Sequence, residues 1–302
     1  MSTDNETIPL MPRDMPSYKL FATEPPAQLY HYTDYNGANG IIESKTLWVT
    51  KLAYLNDTSE LQLAITLFQQ AANAVSKDIK DADKREFVQE AAHQIESFQN
   101  TNICVGSFCE DGDLLSQWRS YSNGGKGVAL EFNAQQIKQS SIDGIMNLWR
   151  CLYKNEEHQA IIRDLLVLLV RSYDIITEFK SNQNWNQTRK DLIGYFNTTF
   201  LRVAPVIKNG YFHEEKEWRL ITTPQSCDRE NYFARISNNR VSQHFRFDFS
   251  TANDNHSYML NGVVIGPSNE PRLVSDAFGV LLRRNSYKPN HIKFSQIPYR
   301  HP

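Results

Sequence analysis

Gly262-Val-Val-Ile-Gly266 is a continuous apolar run whose composition reads as a strand buried on both faces. Such a strand belongs inside a layered domain, so the rest of the chain must supply partners for its edges and covers for its faces. Alternating segments that qualify as further strands lie at 28–33, 46–50, 102–109, 128–132, 146–153, 211–221, 232–236, 244–249 and 291–297. Between them fall helical patterns. Asp34 is a candidate N-cap for a short helix with Ala38, Ile41 and Ile42 on its apolar side. The loop at 55–60 opens a helix through Leu61, Ile65, Leu67 and Phe68, and a more charged helix covers 81–99. Residues 114–121 form a brief helix, 155–207 two long ones, and 271–283 a last one. Pro9, Pro12, Pro16, Pro25 and Pro26 mark residues 1–27 as a mobile leader. The expectation is one α+β domain over 28–302, with 155–207 as a helical insertion.

Composition narrows the function classes. A formal charge of −2 over 302 residues gives no general pull toward nucleic acid or an anionic membrane, which leaves room only for a local basic groove. The longest aliphatic run, Leu165-Leu-Val-Leu-Leu-Val170, is too short to span a bilayer. The start of the chain lacks the pattern of a signal peptide, and four cysteines without C-x-x-C spacing read as reduced thiols. A cytoplasmic protein without a metal site is expected. No P-loop, G-x-G-x-x-G, H-E-x-x-H or G-x-S-x-G occurs, so the corresponding enzyme classes fall away.

The chemistry-bearing stretch is Tyr211-Phe-His-Glu-Glu-Lys-Glu-Trp-Arg-Leu-Ile221. Read as a strand, it places His213, Glu215, Glu217, Arg219 and Ile221 on one face, with Trp218 and Leu220 turned to a core on the other. Two carboxylates and a guanidinium on a half-buried face must pair with each other or meet a ligand. Three clusters are candidates to join them. His31-Tyr-Thr33, beside Tyr30, offers hydrogen-bonding groups and flat rings. Asn56-Asp57-Thr58-Ser59-Glu60 reads as a helix N-terminus with acids at its positive end. Trp118-Arg119-Ser120-Tyr121 precedes Gly124, Gly125 and Gly127, which permit close backbone approach or simply make turns.

Taken in order, L-Y-H-Y-T, L-N-D-x-x-E, S-x-W-x-x-Y with G-V-x-L-x-F, and E-x-E-W-R resemble the uncharacterised bacterial domain-of-unknown-function family 2971, over most of residues 28–302. That family has been linked to the ADP-ribosyltransferases. The resemblance therefore implies a mixed, mainly antiparallel split sheet and an enzyme that uses NAD as substrate. It would transfer ADP-ribose to a nucleic-acid or protein acceptor, as a toxin or anti-phage defence effector with a defence-system or antitoxin partner. It further implies His31 as the residue that orients the ribose, Glu217 or Glu215 as the catalytic carboxylate, and Tyr121 as the stacking ring, with Trp48 or Tyr54 as alternatives. Tyr32, Thr33, Asn56, Asp57 and Trp118 join the dinucleotide-binding set, with Arg219 or Arg119 as a fork for the pyrophosphate. The E-x-E pair is similar to that of the arginine-modifying class, but that class's first-strand Arg and Ser-Thr-Ser are missing, so the acceptor and the choice of Glu stay open.

Two rivals stand beside this reading. One is a non-catalytic nucleotide-binding or regulatory module. The other is a glycosidase or N-glycosidase using Glu215 and Glu217, although alternate strand residues, about 7 Å apart, are parallel neighbours rather than groups facing across a bond.

Overall fold

The computed structural model describes residues 12–55, 58–95, 101–122, 126–140, 144–177, 184–237, 240–250, 259–287 and 291–298. The first half runs α1 (Tyr18–Phe21), β1 (Gln28–Asp34), α2 (Tyr35–Ser44), β2 (Thr46–Lys51), α3 (Thr58–Ser76), α4 (Ala82–Gln94), β3 (Cys104–Cys109), α5 (Leu115–Tyr121), β4 (Gly127–Asn133) and α6 (Ala134–Ser140). The second runs β5 (Met146–Arg150), α7 (Asn155–Thr177), α8 (Trp185–Val203), β6 (Glu217–Thr222), β7 (Tyr232–Ser237), β8 (Arg240–Asp248), β9 (Leu260–Ile265), α9 (Pro271–Arg284) and β10 (His291–Phe294). The chain is α+β, as its strand and helix patterns predict.

All ten strands of the described residues join one mixed sheet. β10 is parallel to β9, and the other strand pairings among the described residues are antiparallel. The sheet forks at β3. One edge of β3 pairs with β6 from Val105 to Cys109. The other edge is shared, with Cys109 opposite Tyr30 of β1 and Val105 and Cys104 opposite Thr50 and Lys51 of β2. Between those points neither β1 nor β2 pairs with Gly106, Ser107 or Phe108.

Helices cover both faces. On one, α2, α6 and α9 bury Ala38, Ile42, Ile137, Phe278 and Leu282 against Leu47, Val49, Leu130, Trp218, Leu220 and Val263 of the strands. On the other, α3, α4, α7 and α8 build a core around Phe68, Phe87, Leu165, Leu169 and Phe200 and lay it over Val105, Trp149 and Ile221. In α7, apolar residues at Ile161, Leu165 and Leu169 recur every four positions and fall on one stripe. The insertion 155–207 is thus half of a helical layer, completed by α3 and α4.

Two expectations are corrected. Residues 12–27 are not a free leader. Met15 is buried among the helices, the Phe21 ring meets Trp149 at 5.0 Å, and the Ser17 N–H donates to the buried Asp164 carboxylate at 2.7 Å. Residues 1–11 lie outside the described part. The stretch 211–221 is also not one strand. Asn209 accepts from the Tyr211 N–H and opens a 3-10 turn, Gly210–Glu215, and Lys216 then turns left-handed with φ 40° before β6 begins. Glycine would adopt that conformation freely and lysine does so at a cost, so the sequence carries no sign of the break.

Gly127, by contrast, is needed for close packing. A Cβ there would lie 2.4 Å from the Thr33 carbonyl and 2.8 Å from the Ser122 backbone. Its role is strand approach rather than ligand approach. Gly124 and Gly125 fall outside the described residues.

Candidate active site at the fork of the sheet

The fork holds a pocket of about 60 Å³, lined by Tyr30, His31 and Tyr32 of β1 and by Ser107 and Cys109 of β3. Gln117 and Tyr121 of α5 form a third wall, and Glu215 and Glu217 the fourth. Register puts Glu217 beside Cys109 and Arg219 beside Ser107, so β6 delivers its carboxylate to the pocket from the neighbouring strand.

Glu217 is part of a buried ionic cluster. Arg219 grips it through Nε at 2.8 Å and Nη2 at 3.1 Å, and Lys208 Nζ reaches its Oε2 at 2.5 Å. Arg219 also donates to Glu60 at 2.7 Å and to the Pro205 carbonyl at 2.5 Å. Lys208 further bonds Glu215 at 2.7 Å and lies 3.5 Å from Glu60. Three carboxylates face two cations, and the unbalanced negative charge sits at the pocket wall.

Burial alone would raise the Glu217 carboxyl, but Arg219 and Lys208 outweigh it and hold the group at about 2. Burial wins at Glu60 and Glu215, which both rise despite their cationic neighbours. These shifts predict opposite pH effects. A depressed value makes Glu217 stabilising above the ordinary carboxylate range, and that contribution is lost as pH falls toward 2. Glu60 and Glu215 are raised, so each opposes folding once pH exceeds the unfolded value, and acidification relieves the cost. Urea midpoints followed from neutral to acid pH should therefore fall less steeply for Glu217→Gln than for the unsubstituted protein. Parallel curves would show that Glu217 carries no such linkage.

His31 is held by Ser107. Its Nδ1 lies 3.0 Å from the Ser107 carbonyl, which only accepts, so Nδ1 carries the proton in the neutral ring and Nε2 keeps a lone pair. Burial lowers the His31 pKa and favours that neutral form, against the pull of the carbonyl. Gln117 is 5% exposed, lines the pocket, and its amide makes no hydrogen bond among the described residues. With its amide open to the pocket, Gln117 is the clearest unfilled donor–acceptor pair in the site. Tyr32 contributes only its ring, because its hydroxyl donates to the Asp111 carbonyl and accepts from the Leu114 N–H. Tyr121 is half exposed at the rim.

Of the residues singled out from sequence, His31, Tyr32, Tyr121, Glu215 and Glu217 meet here. Others do not. Arg219 is fully engaged inside the cluster and has no fork to offer a pyrophosphate. Trp118 is buried behind Tyr32, its ring 4.7 Å from the tyrosine and its N–H on Asp113. Arg119 is exposed on α5 and is absent from the pocket wall, where its helix presents Gln117 and Tyr121 instead. Thr33 packs against the start of α2, where Gly37 makes room for it. Asn56 and Asp57 lie outside the described residues. Trp48 and Tyr54, the alternative stacking rings, do not line the pocket. Nor do Glu215 and Glu217 face each other across an open gap, because Lys208 bridges them. Sequence reasoning missed Gln117 and Lys208, and took Glu60 for a helix-end charge. The one available signal was a lone cation, Lys208, closing the apolar run Ala204-Pro-Val-Ile207.

Two walls of the pocket, α5 and β6, bracket one continuous stretch. Residues 117–220 match the family model described as Protein of unknown function (DUF2971). No curated protein and no solved structure matches the chain. The DUF2971 match begins at Gln117 and takes in Tyr121, Lys208, Glu215, Glu217 and Arg219. His31, Ser107 and Glu60 come from segments that precede it. The described residues contain no group of three or more His, Cys, Asp or Glu side chains arranged to hold a metal ion, and no helix long and apolar enough to cross a membrane.

Proposed function

We propose that the protein is an ADP-ribosyltransferase-like enzyme that cleaves NAD at the nicotinamide–ribose bond and passes ADP-ribose to a nucleic-acid or protein acceptor. What supports this reading is the pocket's combination of an unpartnered amide at Gln117 with surplus negative charge. A nicotinamide ring in NAD is a cation bearing a carboxamide, and both properties find a counterpart here. The carboxamide can exchange two hydrogen bonds with Gln117, and the positive ring supplies the charge the cluster lacks. At about 60 Å³ the pocket is smaller than a nicotinamide ring, so in this reading the ring enters only as the half-exposed Tyr121 at the rim gives way, and the remainder of the dinucleotide lies across the mouth.

In this reading the bond between C1′ and the ring nitrogen breaks with its electron pair going to nitrogen, which becomes neutral. Positive charge develops on the ribose, as in glycoside cleavage. Glu215 at the pocket wall stabilises that charge. His31 Nε2 accepts from a ribose hydroxyl and fixes the sugar. The acceptor's nucleophile then bonds to C1′ and releases its proton to Glu215 or to water.

One observation favours a second reading. Both oxygens of Glu217 are already bonded to cations, which suits a module that binds a nucleotide without cleaving it. Nicotinamide release from NAD, measured with DNA, RNA and cell extract as acceptors, separates the two. Release is expected from the unsubstituted protein and should fall by about 10²-fold or more in His31→Ala. Dinucleotide binding with no release under any acceptor condition would leave only the module.

A further inference from the structure

Away from the fork, β2, β8 and β7 carry a ladder of rings and guanidinium groups. Trp48 lies opposite Arg246, Thr50 opposite His244, and Phe233 opposite that same His244. These side chains share one face of the sheet with Arg235 and Arg240, by the alternation along each strand. Arg246 stacks 4.3 Å from the centre of the Phe233 ring and Arg235 5.1 Å from that of Trp48, while Trp48 and Phe233 meet edge to face at 5.0 Å. His244 is fixed between Thr50 at 3.2 Å and Ser242 at 2.7 Å. Trp48 remains 39% exposed. Arg235, Arg240 and Arg246 form no ion pair with a carboxylate among the described residues, and the ladder's own acid, Asp248, stands at its far end beside Thr46. A chain of net charge −2 thus sets two cations against two rings, with a third on the same face of the sheet.

We propose that this face binds single-stranded nucleic acid. A guanidinium stacked on a ring keeps N–H groups at its edge for a phosphate oxygen, Arg246 giving only Nη1 to the Glu230 carbonyl at 3.4 Å, while the exposed part of the Trp48 ring can stack on an unpaired base. The two rings decide against an acidic peptide, which would have no use for them, and against a duplex, whose bases are already stacked. The face is also turned the same way as the pocket. Thr50 pairs with Val105, and Val105 alternates with Ser107 and Cys109 of the pocket wall. A strand lying on Trp48 and Phe233 is therefore on the side of the sheet where the pocket opens. The binding itself does not depend on the NAD reading.

The test is fluorescence anisotropy of labelled oligothymidylate and of a duplex of equal length, at several salt concentrations, with unsubstituted protein, Trp48→Ala, and Arg235→Gln with Arg246→Gln. Circular dichroism and thermal melting of each variant establish that it is folded. Single-strand binding is expected, stronger than duplex binding, weakened roughly fivefold to a hundredfold by Trp48→Ala. The double arginine variant should lower the slope of log affinity against log salt by about 1.4, which is about 0.7 per lost phosphate contact. No binding at low salt, equal binding of duplex and single strand, or unchanged binding by both folded variants would each overturn the assignment. So would displacement by polyglutamate with Trp48→Ala having no effect.

Discussion

Replacing Arg219 with leucine is expected to destabilise the protein by about 3–5 kcal/mol, the usual consequence of removing one partner from a buried ion pair. The guanidinium satisfies Glu217 twice, Glu60 once and the Pro205 carbonyl once, and all of these groups are buried. Without it, Lys208 alone faces three carboxylates. Urea unfolding midpoints at neutral pH measure the loss. Arg219→Met combined with Glu217→Leu should recover much of it, since an apolar replacement of a whole pair is often close to neutral. A cost below about 1 kcal/mol for Arg219→Leu would mean that the cluster is hydrated in solution.

The second large effect is on turnover. Glu215→Gln is expected to cut NAD cleavage by about 10²–10³-fold while leaving the melting temperature nearly unchanged. Glu215 lies on the 3-10 turn outside the sheet and has one cationic partner, Lys208. Glu217→Gln should reduce turnover and stability together, because it strips a partner from both Arg219 and Lys208. Rates and melting curves collected on the same preparations distinguish these patterns. If Glu215→Gln turned over NAD at the unsubstituted rate, Glu215 would have no part in the chemistry and the turn would serve only to anchor Lys208.

Much of the architecture could be read from local pattern. The apolar run at 262–266 predicts a strand buried on both faces, and β9 sits between β4 and β10 with Val263, Val264 and Ile265 all buried. The alternation of Trp218 and Leu220 against Glu217 and Arg219 is also as predicted, since each strand face is fixed once its core residues are known. Partners from distant segments were not legible. Arg219 was correctly assigned to the face of Glu217, but nothing near it in sequence shows that Glu60 and the Pro205 carbonyl would draw it inward. The same holds for residues 12–27, whose prolines suggest a loose chain until Asp164 of α7 supplies an anchor for Ser17. Gln117 looked like any polar helix residue. Only the fold shows that its amide opens onto a pocket without a partner among the described residues.

The arrangement of β3 has a consequence for synthesis on the ribosome. Its long edge pairs with β6, and β6 also carries β5, yet 107 residues separate the end of β3 at Cys109 from the start of β6 at Glu217. At roughly 5–20 residues per second, β3 waits on the order of ten seconds for its partner. During that interval an apolar strand in the middle of the future sheet presents a bare edge. α7 and α8 emerge in the same interval and can fold against α3 and α4 before β6 arrives. The nascent chain thus gains a helical platform first, and translation speed through that stretch sets how long the open edge is at risk of joining another chain.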